Sequence, residues 1–298
     1  MSTVLITGSS TGIGLATAVV LARARHDVYA SMRDPDRSPE LKTIAQQESL
    51  PITILRLDVT SDDSVAQAFR QVMSERGRID VLINNAGIAT FGGVEDLPLE
   101  VFRQTMETNY FGALRCIKAV LPSMRERRSG CIVNVTSVGG RLAAAAHASY
   151  DASKFALEAL SEVLAQELKT FNVRVAIVEP GIIQTPIFDK LGQYPPDSRY
   201  PHEGRLRALH AASLRNPVSP FLVGEAIRQV VESESWQLRY PVGPDAVPLL
   251  QWRASMTDEE WVARNAVPDD EEYYAQIERD FGLDARPFRR VRSVSRGV

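Results

Sequence analysis

Seven short apolar runs alternate with helix-period stretches from residue 3 to about residue 241, and this alternation restricts the fold more than any other feature of the chain. The runs are Val4–Ile6, Val28–Ser31, Ile52–Leu57, Ile79–Ile83, Cys131–Thr136, Val173–Val178 and Leu238–Tyr240. Strands buried on both faces of a parallel sheet read as continuous apolar runs rather than as strict alternation. Strands that alternate with helices imply parallel crossovers, so the fold class is α/β: a doubly wound parallel sheet of about seven strands, with helices on both faces. Residues 1–243 make up that domain, and residues 244–298 read as a helical C-terminal extension.

Charge and cysteine usage narrow the setting. A net charge of −3 argues against a nucleic-acid or acidic-membrane partner. Cys116 lies in an apolar helical run and Cys131 opens a strand, so both read as small buried hydrophobes and no disulfide framework is expected. The chain enters a strand at once, without a basic and then apolar leader, and no apolar run reaches spanning length. A cytoplasmic, reducing setting without a membrane segment is the expectation, and no metal site is expected.

Ligands of doubly wound sheets bind beyond the carboxyl ends of the strands. After the first strand comes Gly8-Ser9-Ser10-Thr11-Gly12-Ile13-Gly14, spaced G-x-x-x-G-x-G rather than G-x-G-x-x-G. A glycine-rich turn opening a helix brings backbone N–H groups and the positive helix end against a phosphate. The second strand ends at Ser31-Met32 with Arg33 next. An acidic residue there would accept from a ribose 2′-OH, whereas an Arg pairs with a 2′-phosphate, so NADP(H) is expected over NAD(H), with Ser9 or Ser10 as an added hydroxyl donor. Asp58-Val59 follows the third strand, and the Asp either touches adenine or caps the next helix. Asn84-Asn85-Ala86-Gly87 follows the fourth, either as a tight turn or as a hold on a sugar and the neighbouring strand. Ser137 and Pro180-Gly181 stand at the ends of the fifth and sixth. Asn109 interrupts the polar start of a helical stretch, Leu99–Met124, where an Asn competes with the backbone and needs a reason.

Tyr150 and Lys154 sit one turn apart in Ser149–Leu168, where Leu157, Ser161, Leu164 and Leu168 continue the helical spacing. An ammonium beside a phenol favours the phenolate and lowers the Tyr pKa from about 10. A Tyr so tuned gives a proton to a carbonyl oxygen or takes one from an alcohol. The plain alternative is a half-buried ring with a solvated amine.

Taken together, Thr7-Gly8-x-x-x-Gly12-x-Gly14, Asn84-Asn85-Ala86-Gly87, Asn109, Ser137, Tyr150-x-x-x-Lys154 and Pro180-Gly181 resemble the short-chain dehydrogenase/reductase family, in order and spacing, over residues 3 to about 243. Arg33, and Leu238–Gly243 at the seventh strand, resemble its NADP-preferring hydroxysteroid and retinol dehydrogenase branch. The resemblance implies a Rossmann-like fold and a hydride transfer between nicotinamide and an apolar ketone or secondary alcohol. It implies Tyr150 as general acid/base, Ser137 on the substrate oxygen, Lys154 on the Tyr and the nicotinamide ribose, and Asn109 holding a relay water. It places Gly8, Ser9, Ser10, Gly12, Ile13 and Gly14 at the phosphates, Asp58 and Val59 at adenine, and Asn85, Ala86 and Gly87 between the two halves of the cofactor. Pro180, Gly181 and Thr185 fall at the carboxamide end. An NAD-linked dehydrogenase or a non-catalytic dinucleotide sensor are the alternatives. The family is commonly dimeric or tetrameric, so a homodimer or homotetramer is expected.

Residues 186–217, with Tyr194, Pro195, Pro196 and Pro201, read as a mobile substrate lid containing a helix over Arg205–Ala212. Arg205 and Arg207 read as solvated charges, with an acidic substrate as the alternative, and His147 as pocket wall or substrate contact. In the extension, Asp245–Ser255 and Asp269–Phe281 read as helices, with a capping box at Thr257–Glu260 and an apolar stripe of Tyr274, Ile277 and Phe281. That stripe requires a partner surface, either the parent domain or another subunit. Arg286, Arg289, Arg290, Arg292 and Arg296 read as a solvated end or a basic patch for a phosphate-rich partner.

Overall fold

The computed structural model describes residues 1–190 and 198–289. Among these residues seven strands form one sheet: β1 Thr3–Ile6, β2 Asp27–Met32, β3 Ile52–Arg56, β4 Val81–Asn84, β5 Gly130–Val135, β6 Val173–Pro180 and β7 Arg239–Val242. Their order is β3-β2-β1-β4-β5-β6-β7, and every neighbouring pair is parallel. The chain winds outward from β1 to β3, then returns to place β4 on the other side of β1. The carboxyl ends of β1 and β4 therefore feed connections that leave in opposite directions, and a crevice opens between them.

The helices follow the expected alternation: α1 Gly12–Arg23, α2 Pro39–Gln47, α3 Asp62–Arg76, α4 Leu99–Met106, α5 Gly112–Arg127, α6 Ala148–Lys169, α7 His202–Ser213 and α8 Pro220–Glu232. Successive strand residues point to opposite faces. Val4 and Ile6 join a core with Val19 and Ala22 of α1 and Val223 and Ile227 of α8. Leu5 joins a second core with Val72 of α3, Ile117 of α5 and Leu164 of α6. Each fully buried Val, Leu or Ile adds roughly 1.5–3 kcal/mol, so two such layers fix the sheet on which the strand-end turns are mounted.

The stretch expected to be largely helical from Leu99 to Met124 is broken by a wide π turn, Glu107–Phe111, between α4 and α5. Asn109 lies in that turn and is 1% exposed, so it is neither solvent-facing nor in a regular helix.

The extension forms α9 Ala246–Ala254, α10 Asp258–Asn265 and α11 Asp270–Phe281. Thr257 and Glu260 form the expected capping box, and Gly282 ends α11. Tyr274 of α11 packs with Ala208 and Ala212 of α7 and with Ala285, so the apolar stripe is covered by this chain's own helix. Phe281 meets Trp252 edge-on at 4.9 Å. The arginines need correction. Arg205 is 2% exposed, because its guanidinium bonds to Asp270 and to two backbone carbonyls of the extension. It is therefore not a solvated charge, and it does not face a substrate. Arg207 pairs with Glu203. Arg286 and Arg289 pair with acids of α11 and Asp284, so they do not form a free basic end. Arg290, Arg292 and Arg296, and Tyr194, Pro195 and Pro196 of the expected lid, lie outside the described residues.

Candidate active site

The turn after β1 is shaped by contact with the turn after β4. Gly8 and Gly12 adopt left-handed angles, φ +71° and +58°, a region costly for residues with a Cβ. A Cβ on Gly8 would stand 2.7 Å from Ala86 Cα, and one on Gly14 would stand 2.5 Å from Asn85 Nδ2. Asn85 Nδ2 donates to the carbonyls of Thr7 and Gly8, both at 3.0 Å. The backbone N–H groups of Asn85 and Ala86 donate to Thr7 Oγ1, both at 3.1 Å. Asn85 thus holds the glycine turn from behind. Asn84 Nδ2 donates to Asn134 Oδ1 at 2.8 Å, and Asn134 Nδ2 to Ser161 Oγ at 2.8 Å, so a buried polar thread ties β4 and β5 to α6.

Ser9 departs from its expected place. Its side chain is fully buried, with Oγ 3.3 Å from the Ile6 carbonyl, which Ser31 Oγ also reaches at 2.8 Å. The turn directs Ser9 inward to satisfy the end of β1, and Ser10 is the serine that lines the cleft. Arg33 is exposed at the cleft's end, and no described residue pairs with it. Asp58 Oδ1 accepts from the Thr60 N–H at 3.0 Å and from Thr60 Oγ1 at 2.8 Å. Ser61, not Asp58, caps α3, so the question left open by the sequence is settled against the cap.

At the opposite end, Ser137 follows β5, and α6 brings Tyr150 and Lys154 beside it. Ser137 Oγ accepts from the Gly139 N–H at 3.0 Å and stands 3.5 Å from the Pro180 carbonyl, and its hydroxyl acts to lower the Tyr150 pKa. Lys154 is 5% exposed. Its Nζ donates to the Val135 carbonyl at 2.9 Å and stands 5.6 Å from the Tyr150 ring centroid. That is its single hydrogen bond among the described residues, so two N–H donors stay free. The expected lowering of the Tyr pKa does not hold in this structure. Burial pushes the Tyr150 hydroxyl up to about 12, against the Ser137 hydroxyl that lowers it and with Asp151 raising it further. Burial also brings the Lys154 amine down to about 8, with the Glu158 carboxylate opposing that. Low polarity disfavours both charged forms, and the ammonium is turned to the Val135 carbonyl.

Asn109 accepts from the Ile88 N–H at 2.8 Å and donates to the Ile88 carbonyl and to Ser153 Oγ, both at 2.9 Å. Ser153 Oγ donates to the Tyr150 carbonyl at 2.7 Å. A Cβ on Gly87 would lie 3.3 Å from Asn109 Oδ1 and 3.7 Å from Lys154 Nζ, so this glycine keeps open the space between them.

One continuous cleft of about 860 Å³ connects the glycine turn to Tyr150. Ile13, Val59, Pro180, Gly181 and Thr185 line it. His147 is in the wall too, and Asp245, His210, Phe281 and Leu283 are lining residues that were not expected. Asp245 Oδ2 accepts from the Ile182 N–H at 2.8 Å and so fixes the turn after β6. Burial raises its carboxyl pKa. His147 stacks on Phe91, centroids 4.7 Å apart, with Nδ1 3.0 Å from Asp151 Oδ1. His210 of α7 is buried, and that burial, with His147 beside it, brings it down to about 3. Phe281 and Leu283 of the extension complete the wall. Only the apolar stripe of α11 hinted at the last two in the sequence.

Residues 2–195 match the short chain dehydrogenase family. The chain is 44% identical over 266 residues to retinol dehydrogenase 8 of Bos taurus, covering 85% of each. Among solved structures it superposes on a short-chain dehydrogenase from Streptomyces avermitilis with a TM-score of 0.76 at 33% identity, over 90% of this chain and all of that one. An alcohol dehydrogenase from Thermococcus sibiricus, solved with 5-hydroxy-NADP, matches at TM-score 0.67 and 25% identity, over 80% of this chain and 95% of that one. With the family matched over most of the sheet, and a relative this similar along most of its length, the chain belongs to the short-chain dehydrogenase family and is an oxidoreductase of CH–OH or carbonyl groups.

Proposed function

We propose that this chain is an NADP(H)-dependent oxidoreductase that interconverts an apolar ketone and its secondary alcohol, with Tyr150 as general acid/base. The observation that carries the reading is the convergence of Ser137, Tyr150 and Lys154 at one end of a cleft whose other end is a glycine turn and an unpaired arginine. The residues present fit a dinucleotide. The turn is too close to Asn85 and Ala86 for side chains at Gly8 and Gly14, which suits backbone N–H groups facing a pyrophosphate. Gly8, Ser10, Gly12 and Ile13 would hold that group, Arg33 a 2′-phosphate, and Asp58 and Val59 the adenine. Ala86, Gly87, Pro180, Gly181 and Thr185 would border the nicotinamide half. When bound, the nicotinamide gives or takes the hydride.

The chain's own residues handle the proton and the charge. In reduction Tyr150 gives its proton to the carbonyl oxygen, while Ser137 donates a second hydrogen bond to the same atom and steadies the charge that develops there. A hydroxyl held near 12 keeps its proton until that charge forms. Lys154 has two spare N–H donors for a ribose hydroxyl, and its charge eases loss of the Tyr150 proton once it is so held. Asn109 retains a free lone pair on Oδ1, and the open space at Gly87 joins it to Lys154 as a path for proton return. Phe91, Leu142, Ile187, Phe188, Leu206 and Leu209 make the substrate end apolar, and the similarity to a retinol dehydrogenase favours the same class.

The test is Tyr150→Phe, assayed with NADPH and a panel of apolar ketones. Turnover should fall by about 10²–10⁴, the usual worth of a positioned general acid. NADPH affinity should stay within about twofold, because the phenol oxygen adds little to ground-state binding of the cofactor. Retained turnover would remove Tyr150 from the mechanism.

A further inference from the structure

Arg205 is a buried cation outside the chemistry, and its surroundings are built. Nε donates to Asp270 Oδ1 at 2.7 Å, Nη1 to the Val267 carbonyl at 2.6 Å and Nη2 to the Pro268 carbonyl at 3.1 Å. The guanidinium carbon also stands 4.8 Å from the Tyr273 ring centroid. All four partners belong to the segment joining α10 to α11 or to the start of α11, more than sixty residues along the chain. Leu206 and Leu209, next to it on α7, line the substrate end of the cleft. Phe281, the last residue of α11, and Leu283, just beyond it, line the same cleft. The helix carrying Arg205 and the helix it grips thus supply one wall between them.

We propose that Arg205 is a positioning residue that joins α7 and the C-terminal extension into one unit, and that this unit sets substrate length. The proposal rests on the ketone reductase reading above. A guanidinium satisfied on three nitrogens fixes the direction of α7 as well as its distance, because its donors form a planar fork. Substrates long enough to reach Leu209, Phe281 and Leu283 draw binding energy from the far part of that wall, while short ones end near Tyr150, against the cluster in which Leu206 packs. Loss of the clamp should therefore raise KM for long substrates and leave kcat largely alone, because the reacting end stays where Ser137 and Tyr150 hold it.

The experiment compares full-length Arg205→Met, Arg205→Lys and Asp270→Asn with the parent chain, using NADPH and two ketones, a short alkyl ketone and a steroid-sized apolar ketone. Arg205→Met should raise KM for the large ketone at least tenfold, with kcat and the short ketone's KM within twofold. Asp270→Asn, which alters only the half-exposed partner, should fold normally and show the same pattern more weakly. Arg205→Lys should recover part of the loss. Equal losses on both ketones, or none on either, would overturn the proposal. Hydrogen exchange on the same proteins separates this from a failure of the reductase reading. If the parent chain turns over neither ketone, that reading fails, and exchange alone decides the clamp. Amides of residues 202–213 and 266–283 should then gain exchange together in Arg205→Met, and a gain confined to either segment would refute the joint unit.

Discussion

Among the described residues two lysine or arginine side chains are buried, Arg205 and Lys154, and they are satisfied in different ways. Arg205 bonds through all three of its nitrogens, to a carboxylate and two backbone carbonyls, and stacks on an aromatic ring. Lys154 has one hydrogen bond, to a backbone carbonyl, and burial has brought its amine down to about 8. The first is spent on joining two helices, and the second lines the cleft. The lesson is that burial of a charge does not by itself mark chemistry, whereas a buried charge with unused donors in the wall of an open cleft is a candidate for it. Arg33 makes a third case, exposed and unpaired at the cleft's far end.

Replacing Lys154 by Met tests that contrast most severely. Turnover should fall by at least about 100-fold, as for loss of a group that tunes a general acid. Thermal stability at pH 7 should rise. The sign follows from the shift: an amine held at about 8 when folded, against 10.5 ordinarily, costs the fold stability below the lower value. That cost fades as pH rises from about 8 to about 10.5. The gain from Lys154→Met should therefore shrink over the same window, which melting curves at pH 7, 9 and 10.5 would read. A stability loss at pH 7 would place Lys154 with Arg205, as architecture.

Arg33→Ala should weaken NADPH by about 10–100-fold, the worth of roughly 1.5–3 kcal/mol for hydrogen bonds to a charged group, and leave NADH nearly unchanged. Titration with both cofactors decides it, and equal weakening would remove the 2′-phosphate assignment. Arg205→Met should leave cofactor affinity alone and lower stability by about 1–3 kcal/mol, the usual cost of stranding buried carbonyls, measured by urea unfolding. An unchanged midpoint would mean that Asp270, 56% exposed on its side chain, and the two carbonyls are rescued by water.

Much of the glycine-turn end of the cleft was legible in the sequence because its determinants are local. A continuous apolar run, a glycine turn and a helix start lie within about a dozen residues, so period and punctuation are enough to place Gly8, Gly12 and Gly14. Tyr150 and Lys154 share a helix, and helical spacing alone puts them on one face. What escaped depended on distant partners or on direction. Ser9 and Ser10 are adjacent and chemically identical, and only the fold shows that Ser9 turns to the Ile6 carbonyl. The π turn that buries Asn109 has no period of its own to detect. Arg205 sits among polar helix positions and reads as solvated until Asp270 arrives from another helix. The expected lowering of the Tyr150 pKa came from weighing the lysine without the burial that both groups share.

The smallest effect concerns the carboxylate behind Lys154. Glu158, one turn further along α6, is buried and accepts from Thr136 Oγ1 at 2.7 Å and from Arg239 Nε at 3.0 Å. Glu179 of β6 stands in the same cluster, bonded by Arg141 at 3.2 Å, and burial together with Glu158 raises its pKa. Glu158→Gln removes the charge that supports the Lys154 ammonium while Arg239 and Arg141 remain, so Lys154 should lose its proton at lower pH. Glu179 then ionises more readily and restores part of the negative charge, which limits the size of the change. The alkaline limb of the kcat profile should accordingly move toward lower pH, with NADPH affinity and the neutral-pH rate nearly unchanged. A limb that stays in place would mean that Lys154 takes its support from the bound cofactor alone. In that case its single bond to Val135 would be a resting position that the holoenzyme abandons, and the contrast with Arg205 would belong only to the ligand-free protein.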